Sequence, residues 1–566
     1  MKLLTVQAEK VEPLAKVNLV ALFCFSACIL CSIRLFSPLF IGSDSSAQIG
    51  AALGLRDVGA MGNYVIGADL AQPPNIELLT WFAPALSVFL FLLMKVGLGT
   101  ETSLKIIYTI ATIAGWYGWG RLFQAVRELT NANSLFARGI AIVLSILLPI
   151  YFTFDWCGTD LLLWSVIPYV IFLLYQTYCY PNDRAFLAYV KVGALIGFAY
   201  SIRYAAVSLL VGQVCFLIAG RKFKQILYVT FGYLLVYVPV SVYRAFGSKN
   251  QADHVAIESL FDPQLLLSRV KAIFVGLKNT EYLLLSHLTY RMPLERVSAL
   301  LIIAAIVLSL FLLLKSPQDD RSNLGLLKIL SKEILFLNSS LVVFLILVSF
   351  ASSNDFLHIT EIRYFYPFFP SLLLGAYGAV FHFGNAQGRR SQFVRGFAGL
   401  YLGIFLLGAI HGLVFHRAFI FGFHYFSAPL HLVEYPSHRI LTRHPESYQA
   451  LINLLEKNPD RTAISFAEDF DYRHTPDLSV RKRILPASST RIAQNMTSRS
   501  LKIYAVFAIN PNCPGYCYFE HGKEVTFLKA LPDVKRDYVN QTEKIQIVSA
   551  TLPKNFRFKL NYSLKD

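Results

Sequence analysis

Charge is scarce in this chain: Asp, Glu, Lys and Arg together make up 15% of it, against 55% hydrophobic residues. A soluble chain of 566 residues would be several domains joined by polar linkers, whereas here the apolar residues arrive in long unbroken blocks. Cysteine is sparse as well, 8 in all, which excludes a small disulfide scaffold. Neither G-x-x-x-x-G-K-[ST] nor G-x-G-x-x-G occurs, so no nucleotide-phosphate loop is written in the sequence. Acidic residues number 35 against 52 Lys and Arg, a net charge of +17. With no RNA-binding motif and no long basic run, that excess reads as topology, because cytoplasmic loops of membrane proteins retain Lys and Arg.

What the chain has in abundance is apolar length. Mean hydropathy is +0.50. The blocks run to about 16 to 22 residues, enough for a helix to cross a bilayer at ~1.5 Å per residue and too continuous for the alternating strands of an outer-membrane barrel. Phe (45) and Tyr (30) are both frequent, and tyrosine is favoured at membrane interfaces. The blocks fall at 17–40, 79–98, 102–120, 139–154, 161–178, 186–200, 204–219, 226–243, 298–314, 334–351, 364–382 and 396–416. Lys2, Lys10 and Lys16 precede the first, and no small-residue cleavage site follows it. It reads as an uncleaved first helix with a cytoplasmic N-terminus. From about 417 the pattern turns polar, with a helical stretch at 445–457 and β-rich runs at 462–466, 502–508 and 544–550. The expected fold is therefore an all-α polytopic membrane domain over 1–416 and an extracytoplasmic α/β domain over 417–566.

Parity sets the sidedness. The basic clusters between blocks are Arg121/Arg127/Arg138, Arg221/Lys222/Lys224, Lys315/Arg321/Lys328/Lys332 and Arg389/Arg390/Arg395. All four reach the cytosol if the 79–98 block does not cross. That block contains Pro84 and follows Pro73-Pro74, so it is expected to be an interfacial or re-entrant helix beside eleven spanning ones. The outer segments then include 41–101, 154–160, 201–203, 244–297 and 352–363, and any active site faces outward.

Three constellations sit on that outer side. Asp44, in Gly42-Ser43-Asp44-Ser45-Ser46, follows the first helix. It suits a helix N-cap, and equally a carboxylate whose partial desolvation raises its pKa into the range of a general base. Asp155 and Asp160 lie in the short turn Phe154-Asp155-Trp156-Cys157-Gly158-Thr159-Asp160. Asp160 fits a cap on the helix dipole, or a second carboxylate that orients an acceptor or a divalent cation. His358, Glu361, Arg363 and Tyr364 open a late helix. Arg363 can grip a phosphate with its planar donor fork, or snorkel to lipid headgroups. Arg203 is a second phosphate candidate. The 244–297 loop adds Asp253, His254, Glu258, Glu281, His287 and Arg291 without metal-ligand spacing.

In this order the features resemble the GT-C superfamily of membrane glycosyltransferases, in particular aminoarabinose transferases and protein O-mannosyltransferases. The resemblance rests on Asp44, Pro73-Pro74, Asp160, and Arg363-Tyr364 with Pro367 and Pro370, and as an architecture it covers about residues 15–416. It implies an inverting transferase that takes a sugar from a polyprenyl-phosphate carrier and passes it to a lipid, glycan or protein acceptor. Asp44 would then be the catalytic carboxylate, Asp160 its acceptor-side or metal support, and Arg363, with Arg203 and Tyr364, the phosphate ligands. Asp155, Glu361 and His358 would support the acceptor, and a Mg or Mn ion, if used, would sit at Asp44 and Asp160. Many relatives carry Glu beside the first Asp, where this chain has Ser45.

Other signals read as structural. Cys24, Cys28 and Cys31 share a face of the first helix and are expected to pack as small apolar residues. Cys513 and Cys517 flank Pro514-Gly515-Tyr516 and are expected to form a disulfide in an oxidising compartment. Asn495-Met496-Thr497 and Asn540-Gln541-Thr542 are sequons where the host glycosylates. A lipid-linked-glycan transporter or flippase would show buried mid-helix charges and repeats. Lys191 is one such charge, Arg34 lies near a helix end, and no repeat is visible. A non-catalytic envelope assembly protein is the other rival. The absence of a terminal retrieval signal favours a bacterial inner (plasma) membrane.

Overall fold

The computed structural model describes residues 26–32, 35, 43–65, 69–80, 82–129, 139–144, 159–179, 185–219, 221–246, scattered positions within 373–406, and, in the C-terminal part, 431–435, 438–442, 444–467, 478–486, 497–509, 517–520, 523–526 and 533–556. Asp155, His358, Glu361, Arg363, Tyr364, Cys513 and most of the 244–297 loop lie outside these residues, and the side chain of Cys517 is likewise not described.

Among the described residues the membrane part includes the helices α1 (Ser43–Val58), α2 (Ala85–Lys95), α3 (Thr100–Leu129), α4 (Thr159–Cys179), α5 (Ala185–Ile202), α6 (Val207–Ala219) and α7 (Phe223–Ala245). Among the described residues α7 is long and apolar enough to cross a membrane, with shorter apolar helices over α2 and within α4 and α5. One side of α7 buries Val229, Gly232, Tyr233 and Val240. Leu227, Phe231, Leu234, Leu235, Val238 and Val242 remain exposed on it. Such an apolar outer face suits a helix that lies against lipid. The α2 helix has 11 residues, or about 16 Å of rise, roughly half the ~30 Å a crossing needs. It ends at Lys95, and Gly97 just beyond, with a positive φ of 94°, lets the chain turn at once toward α3.

Small residues decide how these helices meet. A Cβ on Gly193 would lie 1.9 Å from the Val229 carbonyl oxygen, and one on Gly232 would lie 2.1 Å from that of Val190. The paired positions rise together along both helices, so α5 and α7 run parallel and touch backbone to backbone. This is the close approach that Gly193-x-x-x-Gly197 permits within a bilayer. Likewise α3 lies parallel to α4, with Gly115 against Trp164 and Gly118 against Pro168. The indole N–H of Trp119 donates to the Trp164 carbonyl at 3.1 Å.

The first cysteine expectation is corrected at Cys28, and Cys24 lies outside the described residues. Residues 26–32 are helical, and Ser26 and Leu30 are the buried positions; Cys28 is exposed and Cys31 half-buried. Cys28 therefore faces away from the packed side of that helix, while Cys31 borders it.

The C-terminal part is a mixed α/β fold. Its strands are β5 (Thr462–Ser465), β6 (Ile484–Pro486), β7 (Leu501–Ala508), β10 (Lys535–Asn540) and β11 (Ile545–Leu552), arranged β10-β11-β7-β5-β6. The β10, β11 and β7 pairings are antiparallel, while β7–β5 and β5–β6 are parallel. Two separate hairpins, β3 (His431–Tyr435) with β4 (His438–Thr442) and β8 (Cys517–Glu520) with β9 (Lys523–Thr526), accompany this sheet. Alternation sends Tyr504 and Val506 to one face, and Ile503, Ala505 and Phe507 to the other. The first face is covered by Tyr448, Leu451, Ile452 and Leu455 of helix α8 (Pro445–Lys457), spaced as an amphipathic stripe. Glu543 caps α8 by accepting from the backbone N–H groups of Glu446 (2.9 Å) and Ser447 (2.8 Å).

The second face buries Leu70 and packs against Tyr64, both of which come from the segment after α1. That segment forms the hairpin β1 (Gly62–Val65) with β2 (Asn75–Leu78). The sheet of the C-terminal domain thus takes part of its core from residues some 400 positions earlier, as the 429-residue separation of the Asp69–Ser498 contact shows.

Candidate functional site at one end of the helix bundle

Asp160 lies in the first turn of α4, where a carboxylate complements the positive end of the helix dipole. Arg203 extends α5 by one residue, its N–H donating to Ala199 O at 3.0 Å, and its carbonyl starts the 3-10 turn Tyr204–Ala206. The two side chains meet: Arg203 Nη1 donates to Asp160 Oδ1. They are only 16% and 10% exposed respectively. Sequence reasoning placed one on the phosphate and the other on the acceptor or a metal; the fold makes them a pair. A guanidinium has five donors, so one carboxylate does not exhaust it.

Beside this pair, Arg244 closes α7. Its Nη1 donates to the Tyr200 hydroxyl at 3.2 Å, and its guanidinium lies 4.5 Å from the centre of the Tyr204 ring. Tyr200 also packs on Tyr204, Tyr233 and Tyr237 at ring separations of 5.1, 5.8 and 5.3 Å. The parallel course of α5 and α7 makes this arrangement, because both helices finish at the same level. Arg244 and the tyrosines were not singled out from the sequence. The signal was there in Arg203-Tyr204 and Tyr243-Arg244, each an Arg/Tyr pair at a helix end.

The segment from 61 to 82 lies across that end. The Tyr204 hydroxyl donates to the carbonyls of Thr80 and Phe82, both at 3.1 Å. The Tyr243 hydroxyl donates to Leu79 O at 2.7 Å and Met61 O at 3.3 Å. The same segment and α2 fix α1: Asn63 Nδ2 donates to Ala47 O at 3.0 Å, and Ser87 Oγ of α2 to Gln48 O at 2.9 Å. Helix α1 starts at Ser43, so Asp44 lies within its first turn, just before those anchor points.

The Asp160 carboxylate meets a guanidinium, and no group of three or more His, Cys, Asp or Glu spaced for an ion occurs among the described residues. The Asn540 sequon is also corrected as a modification site. The Asn540 amide is 8% exposed, donates to Glu446 Oε2 at 2.7 Å and accepts from Glu543 N at 3.0 Å.

No family model and no curated protein matches the chain. Among solved structures it is similar to the Archaeoglobus fulgidus oligosaccharyltransferase in complex with Zn and sulfate, at 14% identity and a TM-score of 0.44 over 82% of this chain and 62% of that one. It is similar also to apo ArnT from Cupriavidus metallidurans (13% identity, TM-score 0.40, 94% of this chain and 98% of that one). The third is arabinosyltransferase EmbB from Mycobacterium smegmatis (10% identity, TM-score 0.39, 74% and 42%). The chain thus spans about three-fifths of the oligosaccharyltransferase. By their names two of the three transfer sugars, one as an oligosaccharyltransferase and one as an arabinosyltransferase.

Proposed function

We propose that the chain is an integral membrane glycosyltransferase that moves a sugar from a polyprenyl-phosphate donor to a lipid, glycan or protein acceptor, with inversion at the anomeric carbon. One observation carries this reading. A buried carboxylate–guanidinium pair, Asp160 with Arg203, shares one end of the bundle with Arg244, under a segment that also anchors the helix bearing Asp44. A prenyl donor keeps its tail in lipid and its anomeric carbon at the interface, at the level where such groups would act.

In the proposed step, an acceptor hydroxyl oxygen attacks the anomeric carbon and Asp44 takes its proton. The bond from that carbon to the phosphate oxygen breaks, and its electron pair leaves with the phosphate. Positive charge at Arg203, Arg244 and the expected ligand Arg363, beside Tyr364, stabilises the departing group. Asp160 holds the Arg203 fork in place, and Asp155, His358 and Glu361 support the acceptor. In this reading the site faces outward from the inner (plasma) membrane, with the N-terminus in the cytosol and the domain from 417 to 566 outside.

The test is release of polyprenyl phosphate by full-length protein in liposomes, given a panel of prenyl-phosphate sugars and crude envelope acceptors. Donor-specific turnover that collapses in Asp44→Asn supports the transferase and its base. Turnover that survives the substitution keeps the transferase and removes Asp44 from that role. A folded protein with no turnover for any donor points to a transporter or an assembly protein instead.

A further inference from the structure

Helix α1 packs Ile49, Ala52 and Leu53 in the bundle core, and polar contacts from different parts of the molecule hold it at two places besides. Near its start, Asn63 and Ser87 donate to the carbonyls of Ala47 and Gln48. In its last turn, Asp57 receives two guanidinium groups: Arg56 Nε on Oδ1 at 2.7 Å, and Arg481 Nη2 on Oδ2. Arg481 belongs to the short helix α9 (Leu478–Arg483) of the C-terminal domain and is only 4% exposed. Burial pushes the Asp57 carboxyl up, but the bonds from Arg56 and Arg481 outweigh it and hold it below its ordinary range. Burial in turn pulls Arg481 down, against the opposing pull of Asp57.

The neighbouring contacts lie in the same interface. Lys482 sits 5.9 Å from the centre of the Tyr64 ring. Ser498 N donates to Asp69 Oδ1 at 3.0 Å, and Arg499 Nη2 donates to Ala71 O at 3.2 Å. Leu70 completes the domain core between them. A buried ion pair is a poor source of net stability compared with apolar packing, but it fixes direction. A rod held at one point can swing, whereas a rod held at two cannot. Asp57 stands about 14 Å beyond the first anchor and Asp44 about 5 Å before it, so a contact at Asp57 stops the swing of α1 where its lever arm is longest.

We propose that Arg481 is a positioning residue of the transferase reaction: through Asp57 it fixes the axis of α1, and with it the catalytic carboxylate of Asp44. The proposal rests on the transferase reading above. It makes the C-terminal domain part of the catalytic geometry, supplying a contact to the helix that carries the base.

The test uses full-length protein in lipid nanodiscs, comparing wild type with Arg481→Met, Arg481→Lys and Asp57→Asn by steady-state turnover and by amide hydrogen exchange. In Arg481→Met, kcat is expected to fall roughly ten- to a hundredfold, as small misplacements of a reacting group do, with donor KM within about twofold of wild type. Exchange in 61–72 should rise while that of α5 and α7 stays unchanged, and Arg481→Lys should recover part of the rate. If Arg481→Met does not fold, Asp57→Asn, which keeps the shape of the side chain, carries the same expectations. Wild-type exchange in 61–72, or a loss of donor affinity in place of turnover, would overturn the positioning role. A wild type without turnover overturns the transferase reading and the kinetic part with it, while the exchange data still decide whether Arg481 holds α1.

Discussion

Arg203 and Asp160 are 43 residues apart in sequence and joined directly in space, tying the end of α5 to the start of α4. Removing one partner of a buried pair strands the other charge, at a cost of about 3–5 kcal/mol. Asp160→Asn and Arg203→Met are therefore each expected to lower thermal stability strongly, and the double variant to be less damaged than the sum of the two. Thermal unfolding of all three in detergent measures that coupling. Strict additivity would show that the pair makes no shared contribution.

The α5–α7 crossing tolerates no side chain at its glycines. Gly193→Ala and Gly232→Ala are expected to destabilise the protein by about 1–3 kcal/mol or more, since each Cβ would meet a backbone oxygen rather than a yielding side chain. Gly99→Ala, with nothing within 4 Å of its added Cβ, serves as the neutral control. Folded yield and melting temperature report the difference. Equal behaviour of all three would contradict the close crossing.

Tyr243→Phe keeps the ring and deletes the hydroxyl that reaches Leu79 and Met61. A loss of about 0.5–1.5 kcal/mol is expected, since a hydrogen bond to a backbone carbonyl contributes that much net. The β1–β2 hairpin should exchange its amides faster as a result. Unchanged exchange would mean that Tyr243 does not hold the segment.

The Asp69 contact is expected to persist in acid. Its carboxyl is lowered to about 2, first by the Ser498 side chain and then by the N–H groups of Ser498 and Ala71. A depressed carboxyl contributes fully above its unfolded pKa near ~3.9 and loses that contribution as pH falls through its folded value. Amide exchange at Ser498 and Ala71 should therefore stay slow down to about pH 3 and quicken near 2. Release near pH 4 would show that the carboxylate is not held there.

Sequence alone reached far where a pattern is local. The helix at 445–457 and the strand at 502–508 needed only apolar spacing, and the structure places α8 at Pro445–Lys457 and β7 at Leu501–Ala508. Asp160 and Arg203 could be named as site candidates because charges at helix ends beside a bilayer are costly without a task or a partner.

Which charges meet was not legible, because pairing depends on the relative course of helices, and that depends on packing. The parallel run of α5 and α7 brings Arg203 and Arg244 to one level, and it arises from glycines whose role appears only when a second backbone is within reach. Cysteine spacing put Cys28 and Cys31 on one face, but not how deep each would lie, and the structure exposes Cys28 while half-burying Cys31. The docking of Leu70 and Asp57 onto the C-terminal domain joins segments more than 400 residues apart. No periodicity records such a contact, since apolar and charged residues in a loop look alike whether they face water or a partner. Composition and periodicity determined that this chain is a membrane helix bundle with a polar domain. Only tertiary packing decided that the domain, the loop and the arginine-bearing helix ends form one assembly.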